Sequence, residues 1–330
     1  MEISFTGAPE YMATVVGFGN ASWHIWNTFR KQGINCLVDA DTDIGISFTQ
    51  PHEYKFKENQ YKIGYTPWES TEFMPGWKEN FDRCDEVWTT SNFNKKLFED
   101  KLDREVFVYM HGIDHAYSPK KRKYLGNQPF TFLHIGEPFS RKDGQLVVNT
   151  FIKLFGYNPN VRLIMKCTGM HFLKVQEPNG HEWDSPDKFY PNIIINQDIL
   201  SSGEMLNLYS SAHCFVYPSW GEGFGFNPLQ AMAMGIPTIS TYAWAEYANR
   251  ITLPLESSWS DNPWEPIHPG KMLKPDAAHL EQLMWDVFND YSKYSDSAFK
   301  NSFKIHQEYD WDLVSKPAIG KLKKIQKSRF

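Results

Sequence analysis

The chain has 330 residues, 41% hydrophobic and 22% charged, the make-up of a soluble globular protein long enough for two domains. A formal net charge of −5 gives no general attraction to nucleic acid or anionic lipid, which argues against a phosphate-tracking binder. Aromatic residues reach 16%, most of them expected in the core, with sugar- or base-binding faces a use for the remainder.

Charge is uneven along the chain. Residues 1–119 hold 11 Lys and Arg against 18 Asp and Glu, whereas residues 120–330 hold 23 against 21, so the second part is the better host for an anionic ligand. Cys36, Cys84, Cys167 and Cys214 are scattered in or beside apolar runs with no CxxC, and are expected to be core thiols in a reducing compartment. The N-terminus MEISFTGAPE lacks a basic segment followed by an apolar stretch, and no apolar run reaches 18 residues. These features predict a cytoplasmic protein without a transmembrane segment.

In chain order, EISF (2–5) is a short first strand, and residues 15–33 look like a glycine loop running into a helix. Gly17 and Gly19 can approach a phosphate or sugar, but Ser22 occupies the third glycine position of the dinucleotide fingerprint, so no Rossmann dehydrogenase is implied. INCLVDADTD (34–43) is a strand ending in Asp39, Asp41 and Asp43. Alternating carboxylates can hold Mg²⁺ or Mn²⁺, although a solvated strand end is the more ordinary use. A calcium EF-hand is excluded, because Ile44 stands where the turn glycine is required and Gln50 where the bidentate Glu belongs. YKIGYTPWESTEF (61–73) is a strand leaving a polar loop; residues 85–100 are strand, Ser91 cap and helix; EVFVYMHGID (105–114) is a strand and turn. The basic, proline-bounded stretch 118–129 is the best linker candidate.

Beyond it, 130–136, 161–166 and 192–196 are strands, 145–156 is a helix, and 168–191 is a polar insertion. Ser201 with Glu204 makes a capping box for a helix ending near Ala212. HCFVYPS (213–219) is a buried strand, followed by GEGFGFNPLQAMAMGIPTIS (221–240). Here Gly221, Gly223 and Gly225 allow a tight loop, Asn227 is a good N-cap with Pro228 at the first helical position, and Gly235 and Pro237 end the helix before the next strand. A helix start after a glycine loop presents free N–H groups and a positive dipole end, which suit a phosphate. A periodic helix follows at 276–290, and the basic tail KLKKIQKSRF is expected to be a frayed, solvated end. Alternating strands and helices make the fold α/β with parallel sheets.

The signature stretch resembles the family 4 retaining glycosyltransferases, in which a Glu is followed after seven residues by a second Glu in a context like E-G-F-G-x-P-x-x-E-A-M-A-x-G-x-P. The match runs through Glu222, Gly223, Phe224, Gly225, Pro228, Ala231, Met232, Ala233, Gly235 and Pro237, with Gln230 in place of the second Glu. G-Y-T-x-W-E, D-E-V-W-x-x-S-x-F-N and H-G-x-D, in that order before the linker, independently resemble one branch of the same family. The resemblance implies a GT-B fold, two Rossmann-like domains facing across a cleft. The expected boundaries are 1–119 for the acceptor-side domain, 120–305 for the donor domain, and 306–330 for a final helix or tail crossing back to the first domain.

It also implies roles. The donor is a UDP- or GDP-linked sugar, a co-substrate, and no cofactor or metal is obligatory. Glu222 hydrogen-bonds donor-sugar hydroxyls; Arg141 and Lys142 contact the diphosphate, with Asp143 intervening before Gly144 where the branch has R-K-G. Gly17 and Gly19 face that diphosphate, and Gly223, Phe224, Gly225, Phe226 and Asn227 complete the donor loop. Gln230 either takes the ribose diol or only closes a capping box with Asn227. Apart from the resemblance, Trp68 and Glu69 follow a strand end in the acidic first part of the chain, where Glu69 is expected to orient the acceptor hydroxyl and Trp68 to pack on a sugar face, the alternative being that Trp68 is core. The acceptor is a saccharide or lipid-linked sugar first, a hydroxylated DNA base second. Two other readings stay open: a metal-dependent glycosyltransferase using Asp39, Asp41 and Asp43, and a non-catalytic sugar-nucleotide-binding subunit.

Overall fold

A computed structural model of the chain describes residues 1–7, 17–137, 141–167, 173–176 and 182–329. Two six-stranded sheets, all parallel, organise it. The first contains β1 (Glu2–Thr6), β2 (Asn35–Leu37), β3 (Ile44–Phe48), β4 (Tyr61–Tyr65), β5 (Glu86–Thr89) and β6 (Val106–Val108) in the order β2-β1-β3-β4-β5-β6. Its helices are α1 (Gly17–Lys31), α2 (Trp77–Asp82) and α3 (Asn92–Leu102). Ser91 caps α3 as expected, its side chain accepting from Asn94 N.

The second sheet contains β7 (Phe130–Ile135), β8 (Val161–Lys166), β11 (Ile193–Asn196), β12 (Cys214–Tyr217), β13 (Thr238–Thr241) and β14 (Leu253–Leu255) in the order β11-β8-β7-β12-β13-β14. Between its strands lie α4 (Gly144–Phe155), α5 (Ser202–Ser211) and α6 (Phe226–Ala233), with the full capping box at Ser201 and Glu204. Within the polar insertion, β9 (Lys174–Gln176) and β10 (Glu182–Asp184) pair antiparallel; the rest of it lies outside the described residues. A second small antiparallel pair, β15 (Ser257–Asp261) and β16 (Lys271–Pro275), precedes α7 (Ala277–Asn289) and α8 (Tyr291–Glu308). β12, CFVY, reads as an unbroken apolar run because helices cover both faces of a parallel sheet, and in the equally buried β7 Thr131 and His134 are the polar exceptions.

This is the GT-B architecture. Counted in its own order, the second sheet is 3-2-1-4-5-6, the doubly wound arrangement in which ligands bind beyond the strand ends where the order reverses. That reversal falls between β7 and β12, the strands that lead to Arg141 and Glu222. In the first sheet it falls between β1 and β3, the strands that lead towards Gly17 and end at Phe48.

The tail departs from expectation. After the short α9 (Trp311–Val314), residues Lys316–Arg329 form α10, not a frayed end. Ala318, Ile319, Leu322 and Ile325 are buried in the same cluster as Ile3, Phe5, Ile46 and Trp88 of the first sheet. Tyr109 and Ser315 share a hydroxyl hydrogen bond of 2.7 Å, and Ile113 N donates to Tyr309 O at 2.7 Å, so the chain crosses back beside its first crossing.

Candidate functional site

Sequence makes the centre of the cleft through two turns in the second sheet. After β12, the chain passes Ser219 and Glu222 and reaches Gly225, whose φ of 83° is left-handed. A Cβ there would also meet Tyr247 Oη at 2.5 Å and a ring carbon of Trp244 at 2.7 Å, so glycine is required on both counts. Gly223 is pressed against Pro67 of the first domain, and Thr90 Oγ1 donates to Gly223 O. No side chain caps α6, whose first N–H groups therefore remain for another acceptor. After β7, Asp143 takes φ 51° and caps α4, accepting from Leu146 N at 3.2 Å and from Trp220 Nε1 at 2.8 Å.

Those turns bring three charges together across the cleft. Arg141 Nη2 donates to Glu69 Oε1 at 2.8 Å and to Glu222 Oε2 at 3.2 Å. Glu222, 6% exposed, accepts two more bonds at Oε1, from Tyr217 Oη at 2.8 Å and Ser219 Oγ at 2.9 Å. Burial opposes ionisation of Glu222, but Arg141, Lys142 and these hydrogen bonds outweigh it and hold the carboxyl below its usual range. Burial likewise opposes the Arg141 charge, and Glu222 and Glu69 reverse that, raising it above its usual value. Lys142 is lowered: desolvation exceeds the pull of Glu222.

The cavity they share holds about 420 Å³. Of the expected site residues, Gly17, Glu69, Arg141, Lys142, Glu222, Gly223, Phe224, Gly225, Phe226 and Asn227 line it. Lys166, Cys167, Ile199, Leu200 and Met205 from the second domain and Phe48 and His111 from the first line it as well. His111 is 3% exposed, stacks on Phe226 at 5.0 Å, and both its ring nitrogens are buried without a partner among the described residues. Desolvation, with His24 adding to it, pushes its pKa down to about 3, so the ring is neutral.

Several expectations are corrected. Asn227 is not the N-cap, because α6 already starts at Phe226; its amide donates instead to Ile135 O at 3.1 Å. Pro228 is thus two residues inside the start. Gln230 lies past the first turn, so its capping-box reading fails, and Oε1 accepts from Tyr209 Oη at 3.0 Å. It lines a separate cavity of about 310 Å³, together with Asn20, Trp23 and Asp114. Gly19 is buried within α1 and does not reach the main cavity; the segment before Gly17 lies outside the described residues. Trp68 is 3% exposed, packed against Trp77 with ring centroids 4.3 Å apart and planes tilted by 60°, and its Nε1 donates to Glu72 O, so the ring is core rather than a sugar platform.

Asp39 pairs with Lys57 at 2.9 Å, and no group of three His, Cys, Asp or Glu that could hold a metal occurs among the described residues. The four cysteines are buried and free, as expected; burial pushes Cys36 and Cys84 up to about 12. No helix among the described residues is long and apolar enough to cross a membrane.

Lys166 and His111 could have been suspected from a charge and a histidine at strand ends. The partners of Glu69 had no local signal, since Arg141 lies in the other domain.

The family described as "Glycosyl transferases group 1" matches residues 130–252, the stretch that carries Arg141, Lys142 and Glu222. No curated protein sequence matches the chain. Among solved structures, sucrose-phosphate synthase from Thermosynechococcus elongatus is similar with a TM-score of 0.70 at 13% identity, covering 100% of both chains. HepE from Anabaena, in complex with UDP-glucose, has a TM-score of 0.67 at 11% identity, covering 98% of this chain and 100% of that one. WaaG, a glycosyltransferase involved in lipopolysaccharide biosynthesis, has 0.62 at 11%, covering 96% and 98%.

Proposed function

We propose that this chain, a glycosyltransferase by its matched domain and its GT-B frame, moves a sugar from a UDP- or GDP-linked donor to an acceptor hydroxyl with retention of anomeric configuration. The observation that carries the reading is the Glu69–Arg141–Glu222 bridge at the centre of the cleft, with Glu222 buried and Arg141 and Glu69 largely buried, beside an uncapped helix start. The donor nucleotide lies along the second domain, its base towards Ile199 and Leu200 and its diphosphate beneath the start of α6. There the N–H groups and Lys142 meet the negative charge that grows as the bond from the anomeric carbon to the diphosphate breaks. A phosphate oxygen takes the acceptor proton while the acceptor oxygen bonds the anomeric carbon on the same face, so no side-chain base and no metal is needed.

Glu222 holds sugar hydroxyls and places a negative charge near the developing oxocarbenium ion. Arg141 serves first to hold Glu222 and Glu69 in place, and shares its remaining donors with the diphosphate. Glu69 orients the acceptor. HepE, whose structure holds UDP-glucose, supports a UDP-hexose as the first donor to try. A saccharide or lipid-linked saccharide is ranked ahead of hydroxylated DNA, because the acceptor-side residues 1–119 carry an excess of acid over base.

The experiment is calorimetry with UDP and GDP, then mass spectrometry of saccharides, lipid-linked saccharides and hydroxymethylated DNA incubated with a panel of nucleotide-sugars in EDTA. The expected result is nucleotide binding, transfer in EDTA and a product with the donor's anomeric configuration by NMR. Inversion removes the retaining mechanism, loss of turnover in EDTA restores a metal, and binding without turnover on any acceptor leaves a non-catalytic subunit.

A further inference from the structure

β15 and β16 form a hairpin outside both large sheets, and their connection, residues 262–270, reaches across to the segment that follows β4. Thr71 N donates to Lys271 O at 3.1 Å, Lys271 N donates back to Thr71 Oγ1 at 2.8 Å, and Glu72 N donates to Pro269 O at 3.3 Å. The hairpin is equally tied to the second domain, where Leu273 N donates to Trp220 O at 2.9 Å. Its connection is braced from within: Asn262 Nδ2 donates to His268 O at 2.6 Å and Gly270 O at 2.8 Å, and Glu265 Oε1 accepts from Gly270 N at 2.8 Å. Gly270 has φ 86°, and a Cβ there would meet Thr71 Oγ1 at 2.5 Å.

This bracing seats one side chain beside the cleft carboxylates. The His268 ring packs 5.5 Å from Trp68, and its Nδ1 lies 3.9 Å from Glu69 Oε2. That nitrogen is buried and has no hydrogen-bond partner among the described residues. Glu69 already gives Oε1 to Arg141. A buried nitrogen without a partner costs stability that a hydrogen bond would recover, and the other oxygen of Glu69 is an acceptor only 3.9 Å away.

We propose that His268 is a positioning residue for Glu69: a small inward movement of the docked hairpin brings Nδ1–H into a hydrogen bond with Glu69 Oε2. The carboxylate is then held from both sides, by Arg141 and by His268, and turns its remaining lone pairs to the acceptor hydroxyl. Docking of residues 262–270 on Thr71 and Glu72 thereby couples closure of the cleft to orientation of the acceptor. Trp68 serves as the wall on which His268 is seated. The proposal rests on Glu69 being the acceptor-side carboxylate of a glycosyl transfer.

The test uses the full chain, UDP-glucose or the nucleotide-sugar that the panel identifies, and the acceptor found with it. His268→Leu is expected to lower kcat/KM for the acceptor about tenfold, with UDP affinity by calorimetry and donor hydrolysis to water unchanged. His268→Asn, which keeps an N–H near the position of Nδ1, should recover most of that loss. Gly270→Ala, which undocks the hairpin through the backbone, should reproduce the His268→Leu pattern. Unchanged acceptor kinetics in His268→Leu, or an equal fall in UDP affinity, overturns the proposal. So does failure of His268→Asn to recover any of the loss while both proteins melt alike. A wild-type protein that binds no nucleotide and turns over no nucleotide-sugar defeats the glycosyl-transfer reading itself, and this one with it.

Discussion

The two sheets meet at one cleft, yet they face it with opposite chemistry. The second sheet sends charge: Arg141 and Lys142 after β7, Lys166 at the end of β8, Glu222 after β12. The first sends mostly rings, Phe48 and His111 among them, and one carboxylate, Glu69. An anionic leaving group needs fixed cations whatever the acceptor is, so the charged side is the part that a family pattern can capture, and the match indeed spans 130–252. Acceptors differ, and the ring-lined side has no such common requirement. The ionic bridge across the cleft, Glu69–Arg141–Glu222, is a place where the two halves depend on one another.

Breaking that bridge should have the largest effect. Arg141→Leu leaves the buried Glu222 and the partly exposed Glu69 without this cation, a loss of about 3–5 kcal/mol at most, the cost of removing one partner of a fully buried pair. Turnover should fall below detection and the melting temperature should drop. Adding Glu222→Gln to it should restore part of the stability and none of the activity, which separates the electrostatic penalty from the chemistry. If Arg141→Leu melts like the wild type, the bridge is not formed in solution.

Glu222→Gln alone keeps the shape and removes the charge. Because the side chain sits below its usual pKa and is ionised at neutral pH, kcat should fall about a hundredfold and KM for the donor much less. A change confined to KM would reduce Glu222 to a sugar-binding residue.

Much of this was legible before any coordinates. Buried strands announce themselves as apolar runs, caps at Ser91 and Ser201 are local chemistry, and the spacing around Glu222 carries its own context. Asn227 was misplaced because residue type alone made it a good cap, whereas Gly225 starts the helix earlier and the Asn227 amide is claimed by Ile135 O. For Trp68 the sequence left sugar face and core both open, because the direction of a side chain leaving a strand depends on what packs beneath it, here Trp77. The tail did carry a signal: Ala318, Leu322 and Ile325 recur at helical spacing under a run of lysines that drew attention to charge. His268 carried none, since its meaning depends on a hairpin docking nearly two hundred residues away in sequence.

Acid should weaken both halves at once. His111 in the cleft is held neutral by burial down to about pH 3, and His134 and His213 in the second sheet down to about 4, each by burial first, with Lys142 and Arg122 adding to it. An unfolded histidine titrates near 6.5, so below that the unfolded chain binds more protons than the folded one. Stability is therefore complete above about pH 6.5 and declines as pH falls towards 4, by about 1 kcal/mol per unit for each histidine. Denaturant melts at pH 7, 6 and 5 check this, and replacing His213 by Asn should flatten the slope only in part, because burial also lowers His24 and His268.

Lys142→Ala sharpens the comparison from the charged side. It should weaken UDP or GDP at least tenfold, about 1.4 kcal/mol, a modest demand for a charge-assisted contact. The same change should alter the acceptor's KM much less than nucleotide affinity, because Lys142 follows β7 on the charged side. Calorimetry showing unchanged nucleotide affinity would end the assignment.

The smallest expected effect belongs to Gln230, which stands where the resembling family has its second Glu. A carboxylate accepts from both hydroxyls of a ribose, while an amide accepts at one atom and donates at the other. Gln230 is 7% exposed, its Oε1 takes the Tyr209 hydroxyl, and it also hydrogen-bonds the Tyr117 phenol. A Glu here would keep the Tyr209 bond and strengthen it, but would have to be desolvated, and the Tyr117 hydroxyl would have to turn and donate. Nor does the helix help, for Gln230 lies beyond the first turn, where the dipole term has faded. These contributions nearly cancel, so Gln230→Glu should shift the melting temperature by little, within about 1 kcal/mol in stability. Its value lies in the ligand: if the ribose reaches round Phe226 to this side chain, affinity for UDP rises about fivefold and that for the 2′,3′-dideoxy analogue does not. Equal changes for the two nucleotides would mean that Gln230 only ties α6 to α5 through Tyr209, and that the ribose is held from the main cavity alone.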